Sequence, residues 1–267
     1  MRLAAVALLA VAAAVALVTG LGPGGRAAHA RHSRRVTAAR RRAEVVRLGE
    51  SARGRPIDAV HIGSGSRADL LVVGCVHGNE PAGIAVTRTL RRMLAARPVD
   101  AWLIDDLNPD GRAAHTRVDG RGVDLNRNFP WRWRHLFRRG DPQYGGPRVL
   151  SEPESRAAAR LIRRVRPRIS IWFHQPLAVV DKSGGSVGVE RRFSRLSGLP
   201  FRRLTRYPGS AVGWEDHVLP GSTAFVVELP PGRLTPAAAV RLARSVAKLI
   251  QPRPAPSRAR SAPPARA

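Results

Sequence analysis

The chain has 267 residues, enough for one enzyme-sized domain, and its 46 lysines and arginines against 19 acidic residues give a formal charge of +27. Such a charge attracts polyanions, but we exclude nucleic acid because no nucleic-acid-binding motif accompanies the charge and only 5% of the residues are aromatic. Anionic lipid or a cell-wall polymer remains as a partner, and the arginine bias of a GC-rich genome explains the charge equally well without one.

Residues 1–30 have the layout of a secretory signal peptide. Arg2 precedes an apolar run over residues 3–19, and Ala-His-Ala at 28–30 resembles a cleavage site. The run is slightly shorter than the roughly 20 residues that cross a membrane, but an uncleaved anchor stays open as the alternative. Both place the rest of the chain outside the cytoplasm, so we expect a secreted or cell-envelope protein. The single cysteine, Cys75, excludes an intrachain disulfide.

The remainder of the chain divides by composition. Residues 31–42 are arginine-rich and are interpreted as a solvated basic linker, while the Pro/Ala/Arg-rich residues 251–267 are predicted to form a disordered tail. Between them, residues 43–250 form one predicted domain in which strand-like apolar runs alternate with helical patterns. The predicted strands are 59–62, 70–76, 101–105, 169–173, 177–180 and 224–229, and the predicted helices are 81–96, 152–165 and 235–250.

This alternation is typical of an α/β fold, with a mixed or mostly parallel sheet between layers of helices. Ser151 followed by Glu154 predicts a helix start with a capping box. Residues 107–147 show no period and are rich in Gly, Pro, Asp, Asn and Arg. Because a loop of this length in a compact domain is usually functional or disordered, its polar content favours a functional loop.

A histidine and a carboxylate, His77 and Glu80, follow the apolar run that ends near Val73. Imidazole nitrogen and carboxylate oxygen both bind zinc, and catalytic zinc usually has three protein ligands and a water. The spacing alone is a weak signal, so a third ligand and a base are needed downstream. His174 and Glu228 each end a later apolar run. A lone histidine there is more often a core residue, whereas a buried acid is costly unless it is paired or bound to a metal.

The long polar loop contains the sequence Gly-Val-Asp-Leu-Asn-Arg-Asn-Phe-Pro at 122–130. Within it Asn126 and Arg127 are adjacent, and a guanidinium beside an amide suits bidentate capture of a carboxylate. Standing alone, the pair would be a surface arginine and a turn asparagine. Beside a metal site, the pair indicates a substrate that carries a carboxylate.

Together these motifs resemble the zinc metallocarboxypeptidases of the carboxypeptidase A type, in the same order along about residues 45–250. The resemblance implies a mixed eight-stranded sheet flanked by helices, with one Zn²⁺ ion at the carboxyl ends of central strands. His77, Glu80 and His174 match the zinc ligands of the family. Glu228 matches its catalytic glutamate, which moves the proton of the attacking water.

The same resemblance implies how a substrate is held. Arg117 matches the arginine that polarises the scissile carbonyl, and Asn126 and Arg127 match the pair that holds the substrate carboxylate. The mobile tyrosine of the family has no comfortable counterpart, because Tyr207 lies too close to the following Gly-Ser turn. Ala211, directly after this turn, would line the side-chain pocket and favours neither a charged nor a bulky aromatic substrate side chain.

Within the family, the motifs resemble bacterial murein-tripeptide amidases, which cleave the γ-D-glutamyl–diaminopimelate bond of cell-wall peptides. We therefore expect an exported monomeric zinc peptidase or amidase with a peptide or muropeptide substrate, whose charge could hold it on anionic wall polymers. Glu215 or Asp216 is a candidate partner for the diaminopimelate ammonium, although exposed loop acids are more often only solvated. Alternatives are a general carboxypeptidase on protein C-termini, a related zinc deacylase, and a non-catalytic wall-binding relative, which is disfavoured because Glu228 is present.

Overall fold

The structure, a computed structural model, describes residues 43–250. These residues form a mixed sheet of eight strands. Its strands are β1 (Glu44–Glu50), β2 (Pro56–Ile62), β3 (Leu70–Val73), β4 (Ala101–Ile104), β5 (Ile169–His174), β6 (Val179–Asp181), β7 (Phe201–Arg202) and β8 (Thr223–Glu228). Their order across the sheet is β1-β2-β4-β3-β5-β8-β6-β7. The predicted α/β class with a mixed eight-stranded sheet is confirmed.

Three predicted segments lie outside the described residues: the signal or anchor segment 1–30, the basic linker 31–42 and the tail 251–267. Their assignments and the domain boundaries stay predictions. Within residues 43–250, no helix is long and apolar enough to cross a membrane.

The centre of the sheet is parallel. Strands β4, β3, β5 and β8 run in the same direction, and the pairs β1–β2, β2–β4 and β8–β6 are antiparallel. All four residues of β3 and of β4 are buried, as expected for parallel strands that helices cover on both faces. Because parallel strands end at the same edge of a sheet, the carboxyl ends of β3, β5 and β8 meet there.

Helices cover both faces of the sheet. They are α1 (Gly83–Leu94), α2 (Pro109–Ala114), α3 (Pro153–Val165), α4 (Val187–Ser197), α5 (Ala211–Val218) and α6 (Pro236–Leu249). One hydrophobic cluster contains residues of α1, α4 and α6, and a second contains residues of α3 and α5. Alternate residues of β3 belong to different clusters, Leu70 and Val72 to the first and Leu71 and Val73 to the second, because successive strand side chains point to opposite faces.

The elements with strong periodicity were predicted best. Helices α1, α3 and α6 match their predicted ranges to within two residues at each end, whereas β1, β7, α2, α4 and α5 were not predicted. The predicted capping box is wrong, because α3 has Glu152 rather than Ser151 at its N-cap. Ser151 Oγ donates to Glu152 at 2.7 Å, and Glu154 accepts the N–H of Ala52 at 2.9 Å.

Candidate active site

The carboxyl ends of β3, β5 and β8 bring four predicted site residues together. His174 is the last residue of β5, Glu228 is the last residue of β8, and the two are paired in the sheet register. His77 and Glu80 lie on the loop that follows β3. A cavity of about 770 Å³ opens beside them, and every predicted site residue except Glu80 lines it.

The loop after β3 is held tightly in place. The N–H of Glu80 donates to the carbonyl of His77 at 2.9 Å, which closes a turn between the two. Gly78 packs against the backbone of Gly111 so closely that a Cβ there would lie 1.9 Å from the Gly111 carbonyl carbon. Only glycine fits this contact, so the loop has a fixed path that directs both flanking side chains.

Three atoms of this edge form a compact triangle of metal-binding type. Nδ1 of His77 lies 3.0 Å from Oε2 of Glu80, Nδ1 of His174 lies 3.1 Å from the same oxygen, and the two nitrogens are 3.1 Å apart. Ligands of a tetrahedral zinc ion lie roughly 3.3 Å from one another. Two imidazole nitrogens and one carboxylate oxygen, all on buried residues, therefore fit one Zn²⁺ ion.

The outer nitrogen of His77 is held by Asp124, which our sequence analysis did not single out. Its Oδ1 lies 3.0 Å from His77 Nε2 and accepts the N–H of Asn126 at 2.9 Å. A carboxylate in this position fixes the tautomer and orientation of a metal-binding imidazole. Burial alone would raise the pKa of Asp124, but His77 and Arg117 hold it well below its ordinary value. The signal was available, because Asp124 lies inside the 122–130 motif.

Arg117 joins the two carboxylates of this centre. Its Nη1 donates to Oε1 of Glu80 at 3.0 Å and its Nε donates to Asp124 at 2.9 Å. The second oxygen of Glu80 also accepts the N–H of Gln175 at 3.1 Å. Burial alone would raise the pKa of Glu80, but hydrogen bonds from the two histidines bring it far below its ordinary range. Glu80 is therefore ionised and oriented at neutral pH.

Glu228 faces the cavity beside the triangle and has spare capacity to accept a proton. Its Oε2 is buried without a hydrogen-bond partner within residues 43–250, and the backbone N–H of Leu177 donates to the carboxylate. Burial, followed by the nearby charge of Glu80, raises the pKa of Glu228 to about 7. A carboxylate with a pKa near neutrality can both take and return a proton, as a general base requires.

Arg127 is a buried guanidinium with incomplete pairing. Its Nη1 donates to the carbonyl of Asn126 and its Nη2 to Oε1 of Gln143, both at 3.0 Å, while Nε has no partner in the described part of the chain. The Asp124 carboxylate lies 4.0 Å from Nη1, and the guanidinium stands 4.1 Å from the ring centre of Tyr207. Burial lowers the pKa of Arg127. Such a group favours a further anion as its ligand.

Asn126 connects this guanidinium to the rest of the site. Its Oδ1 accepts the N–H of Ala211 at 2.9 Å, and its Nδ2 lies 3.4 Å from Nε2 of His174. The turn before Ala211 needs Gly209, because this residue has φ +76° and a Cβ there would lie 2.2 Å from the carbonyl oxygen of Arg127. The motif and the Gly-Ser turn thus lock each other beside the cavity.

Three residues discussed for substrate recognition have places that the sequence did not predict. Tyr207 does line the cavity, whereas Glu215 and Asp216 do not. Glu215 is fully buried, and its carboxylate accepts Nε1–H of Trp172 at 3.4 Å. The acid that does line the cavity besides Glu228 is Asp181, which our sequence analysis missed.

Comparison of the sequence with known proteins agrees with this geometry. Residues 33–180 match the zinc carboxypeptidase family. The chain is 33% identical over 199 residues to murein peptide amidase A of Vibrio campbellii, which covers 68% of the chain and 78% of that protein. It is 31% identical over 144 residues to murein peptide amidase A of Escherichia coli, which covers 50% of the chain and 60%, less than two thirds, of that protein.

Two solved structures have a similar fold. The murein-tripeptide amidase of Escherichia coli O157 superposes with a TM-score of 0.62 at 24% identity, over 79% of this chain and 92% of that one. Carboxypeptidase A of Helicoverpa armigera superposes with a TM-score of 0.65 at 18% identity, over 79% of this chain and 67% of that one. At these identities the likeness establishes the fold, and the predicted zinc carboxypeptidase-like architecture is confirmed.

Proposed function

Because the chain belongs to the zinc carboxypeptidase family and is a zinc-dependent hydrolase, we propose that it cleaves an amide bond next to a substrate carboxylate in peptidoglycan peptides. The bond we expect is the one between γ-D-glutamate and diaminopimelate. The observation that carries the proposal is the buried, incompletely paired guanidinium of Arg127, which lines the cavity beside the predicted zinc ligands. The names of two similar proteins, both murein peptide amidase A, support the choice of polymer.

His77, Glu80 and His174 are the residues we propose as zinc ligands. When bound, Zn²⁺ acidifies a water molecule and polarises a carbonyl oxygen. Asp124 would accept a hydrogen bond from Nε2–H of His77 and so keep the proton on that nitrogen, which leaves Nδ1 free for ligation. Arg117 and the backbone N–H of Gln175 would keep the Glu80 carboxylate charged and aimed at the same point.

The other proposed roles concern protons and substrate charge. Glu228 would accept a proton from the attacking water at its unpaired Oε2 and then deliver it to the nitrogen of the leaving amine. Arg117 has N–H donors beyond those bound to Glu80 and Asp124, and these would stabilise the developing oxyanion. Arg127, positioned by Asn126, would hold the substrate carboxylate and so fix the scissile bond over Glu228.

A digest of a muropeptide mixture, analysed by mass spectrometry, tests the reaction. We expect products cut between γ-D-glutamate and diaminopimelate, their loss with a zinc chelator and their return with added Zn²⁺. Arg127→Gln should lower kcat/KM by about 100-fold, because the substrate carboxylate loses a charge-assisted pair. Arg148→Gln is the control, since Arg148 is exposed and does not line the cavity.

The alternatives are decided by the substrate. Cleavage of hippuryl-type peptides but not of the γ-D-glutamyl bond would replace our proposal by a general carboxypeptidase. Failure to cleave either, with zinc bound, would favour a non-catalytic wall-binding relative.

We also propose that the protein is exported and held on anionic wall polymers. The signal-like residues 1–30 and the charge of +27 support this proposal. Sedimentation with purified cell walls should show a bound fraction that falls as salt is raised, because salt screens charge attraction. Binding that salt leaves unchanged would exclude charge as the anchor.

A further inference from the structure

One acid on the cavity wall has no part in the mechanism proposed above. Asp181, the last residue of β6, is only 7% exposed and lines the cavity. Glu228 is the only other carboxylic acid among the described residues of this wall, whereas five arginines line the same cavity. A buried carboxylate there is suited to a positively charged group, which nothing in the proposed mechanism supplies.

The sheet register fixes where Asp181 stands relative to the reaction centre. Val179 of β6 is paired with Glu228 of β8, and Asp181 follows two residues later. Side chains two residues apart point to the same face of a sheet and lie about 7 Å apart along the strand. Asp181 and Glu228 therefore face the same cavity and are separated by about 7 Å along the strand direction.

Asp181 is held rigidly but is not saturated. Its Oδ2 accepts the hydroxyl of Ser183 and its Oδ1 accepts the N–H of Leu204, each at 2.8 Å. Each carboxylate oxygen has two lone pairs, so both oxygens can accept a further hydrogen bond. Two fixed acceptors with spare capacity suit an ammonium group, which has three donors.

A cation is anchored to the residue that follows this acid. Arg206 lines the same cavity, and its Nη2 donates to the carbonyl of Lys182, the residue after Asp181, at 2.7 Å. That bond occupies one of the five donors of a guanidinium, so others remain for an anion. An acid beside an arginine is the complement of a free amino-acid group, which carries an ammonium and a carboxylate on one carbon.

We propose that Asp181 binds the side-chain ammonium of diaminopimelate and that Arg206 binds the carboxylate on the same carbon. This inference rests on the proposed function. Arg127 holds the carboxylate next to the scissile bond, and this wall receives the far end of the same residue. An apolar side chain would leave the spare acceptor capacity of the buried Asp181 carboxylate facing an apolar surface, and a site built to bind polar groups rejects analogues that lack them.

The test compares three peptides on the zinc-loaded full chain. All carry L-alanyl-γ-D-glutamate, joined to diaminopimelate, to lysine or to norleucine. Lysine keeps the ammonium but lacks the carboxylate, and norleucine lacks both. We expect kcat/KM to fall in that order, by about tenfold for each charged group lost. Equal rates on all three would overturn the inference while leaving the proposed function intact, and cleavage of none would overturn the proposed function itself.

Variants separate recognition from structural support. Asp181→Asn should lower the diaminopimelate-to-norleucine ratio of kcat/KM by about 10- to 100-fold, and Arg206→Gln should lower the diaminopimelate-to-lysine ratio. Asp100→Asn is the control, because Asp100 is buried and hydrogen-bonded as Asp181 is but does not line the cavity, and it should leave both ratios unchanged. A loss at Asp181→Asn that is equal on all three peptides would mean that Asp181 only supports the fold. The comparison of the three peptides uses only the wild-type protein, so it tests the inference even if a variant misfolds.

Discussion

Two groups of three buried side chains within residues 43–250 have the spacing of metal ligands, and they differ in charge. In each group the ligand atoms lie within 4.8 Å of one another. The histidine triad is His77, Glu80 and His174, and the carboxylate triad is Asp119, Glu152 and Glu154. Burial and ligand spacing are alike in the two triads, so a difference in their chemistry must come from the surrounding charges.

The carboxylate triad lies where the long polar loop meets the start of α3. Asp119 belongs to the loop, and Glu152 and Glu154 belong to the N-cap and first turn of the helix. Asp119 Oδ1 accepts the N–H groups of Arg121 and Val123 at 2.9 Å. The second oxygens of Asp119 and Glu154 are buried without a partner within the described residues. Burial, together with the charges of Glu152 and Glu154, raises the pKa of Asp119 to about 7. The Asp119 carboxyl therefore holds its proton more tightly in the fold than in water.

The two triads are buried to a similar degree, but the pKa of Glu80 is lowered whereas the pKa of Asp119 is raised. In the histidine triad the pKa of Glu80 lies far below its ordinary value, because imidazoles and Arg117 surround its carboxylate. A dication on two neutral imidazoles and one carboxylate leaves a net positive charge that can acidify water, whereas three carboxylates would leave a net negative charge. Neighbouring charge, rather than burial, decides which triad is suited to catalytic zinc.

The largest expected effect comes from the acid beside the histidine triad. Glu228→Gln should lower kcat by about 10³-fold, because the general base is lost, while zinc content by elemental analysis stays at one per chain. Glu215→Gln is the matched control, since burial raises the pKa of Glu215 to about 8 and this acid is mostly neutral at pH 7. Unchanged turnover would remove Glu228 as the base, and lost zinc would make it part of the metal site.

A smaller effect should follow from the carboxylate behind His77. Asp124→Asn removes the charge that faces Nε2 of His77, and loss of such an outer partner typically costs about 10- to 100-fold in metal affinity. Competition with a zinc-binding dye measures this. Asp119→Asn makes the same chemical change in the carboxylate triad and should leave zinc affinity unaltered. Equal losses in both variants would mean that the triads act as one electrostatic unit.

Local patterns in the sequence predicted the parts of the site that lie at the ends of apolar runs or inside one motif. His174 and Glu228 could be predicted because buried parallel strands are continuous apolar runs, which end where the site begins. Asp181 could not, because β6 has only three residues and no period. Its place beside β8 depends on strand pairing, which no local pattern encodes. Asp119 and Glu152 likewise meet only in the fold.

The smallest expected effect is on stability, in the carboxylate triad. Because the pKa of Asp119 is raised from its ordinary 3.8 to about 7 in the fold, its stabilising contribution is complete below about pH 4 and is lost as the pH rises through 7. An asparagine side chain at this position would keep both backbone hydrogen bonds and place N–H donors toward the neighbouring carboxylates. Asp119→Asn should therefore raise the free energy of unfolding by about 1–3 kcal/mol at pH 8, and much less near pH 4.

Denaturant unfolding of both proteins at the two pH values measures this difference. Asp110→Asn is the control of opposite sign, because Asp110 is similarly buried but pairs with Arg55 at 2.5 Å, and the substitution removes the partner of that guanidinium. If Ca²⁺ stabilises the wild type and Asp119→Asn abolishes that gain, the carboxylate triad binds a cation, and its unpaired oxygens are ligands. If Ca²⁺ changes neither protein, the carboxylate triad is a proton site, and only the histidine triad is a metal site.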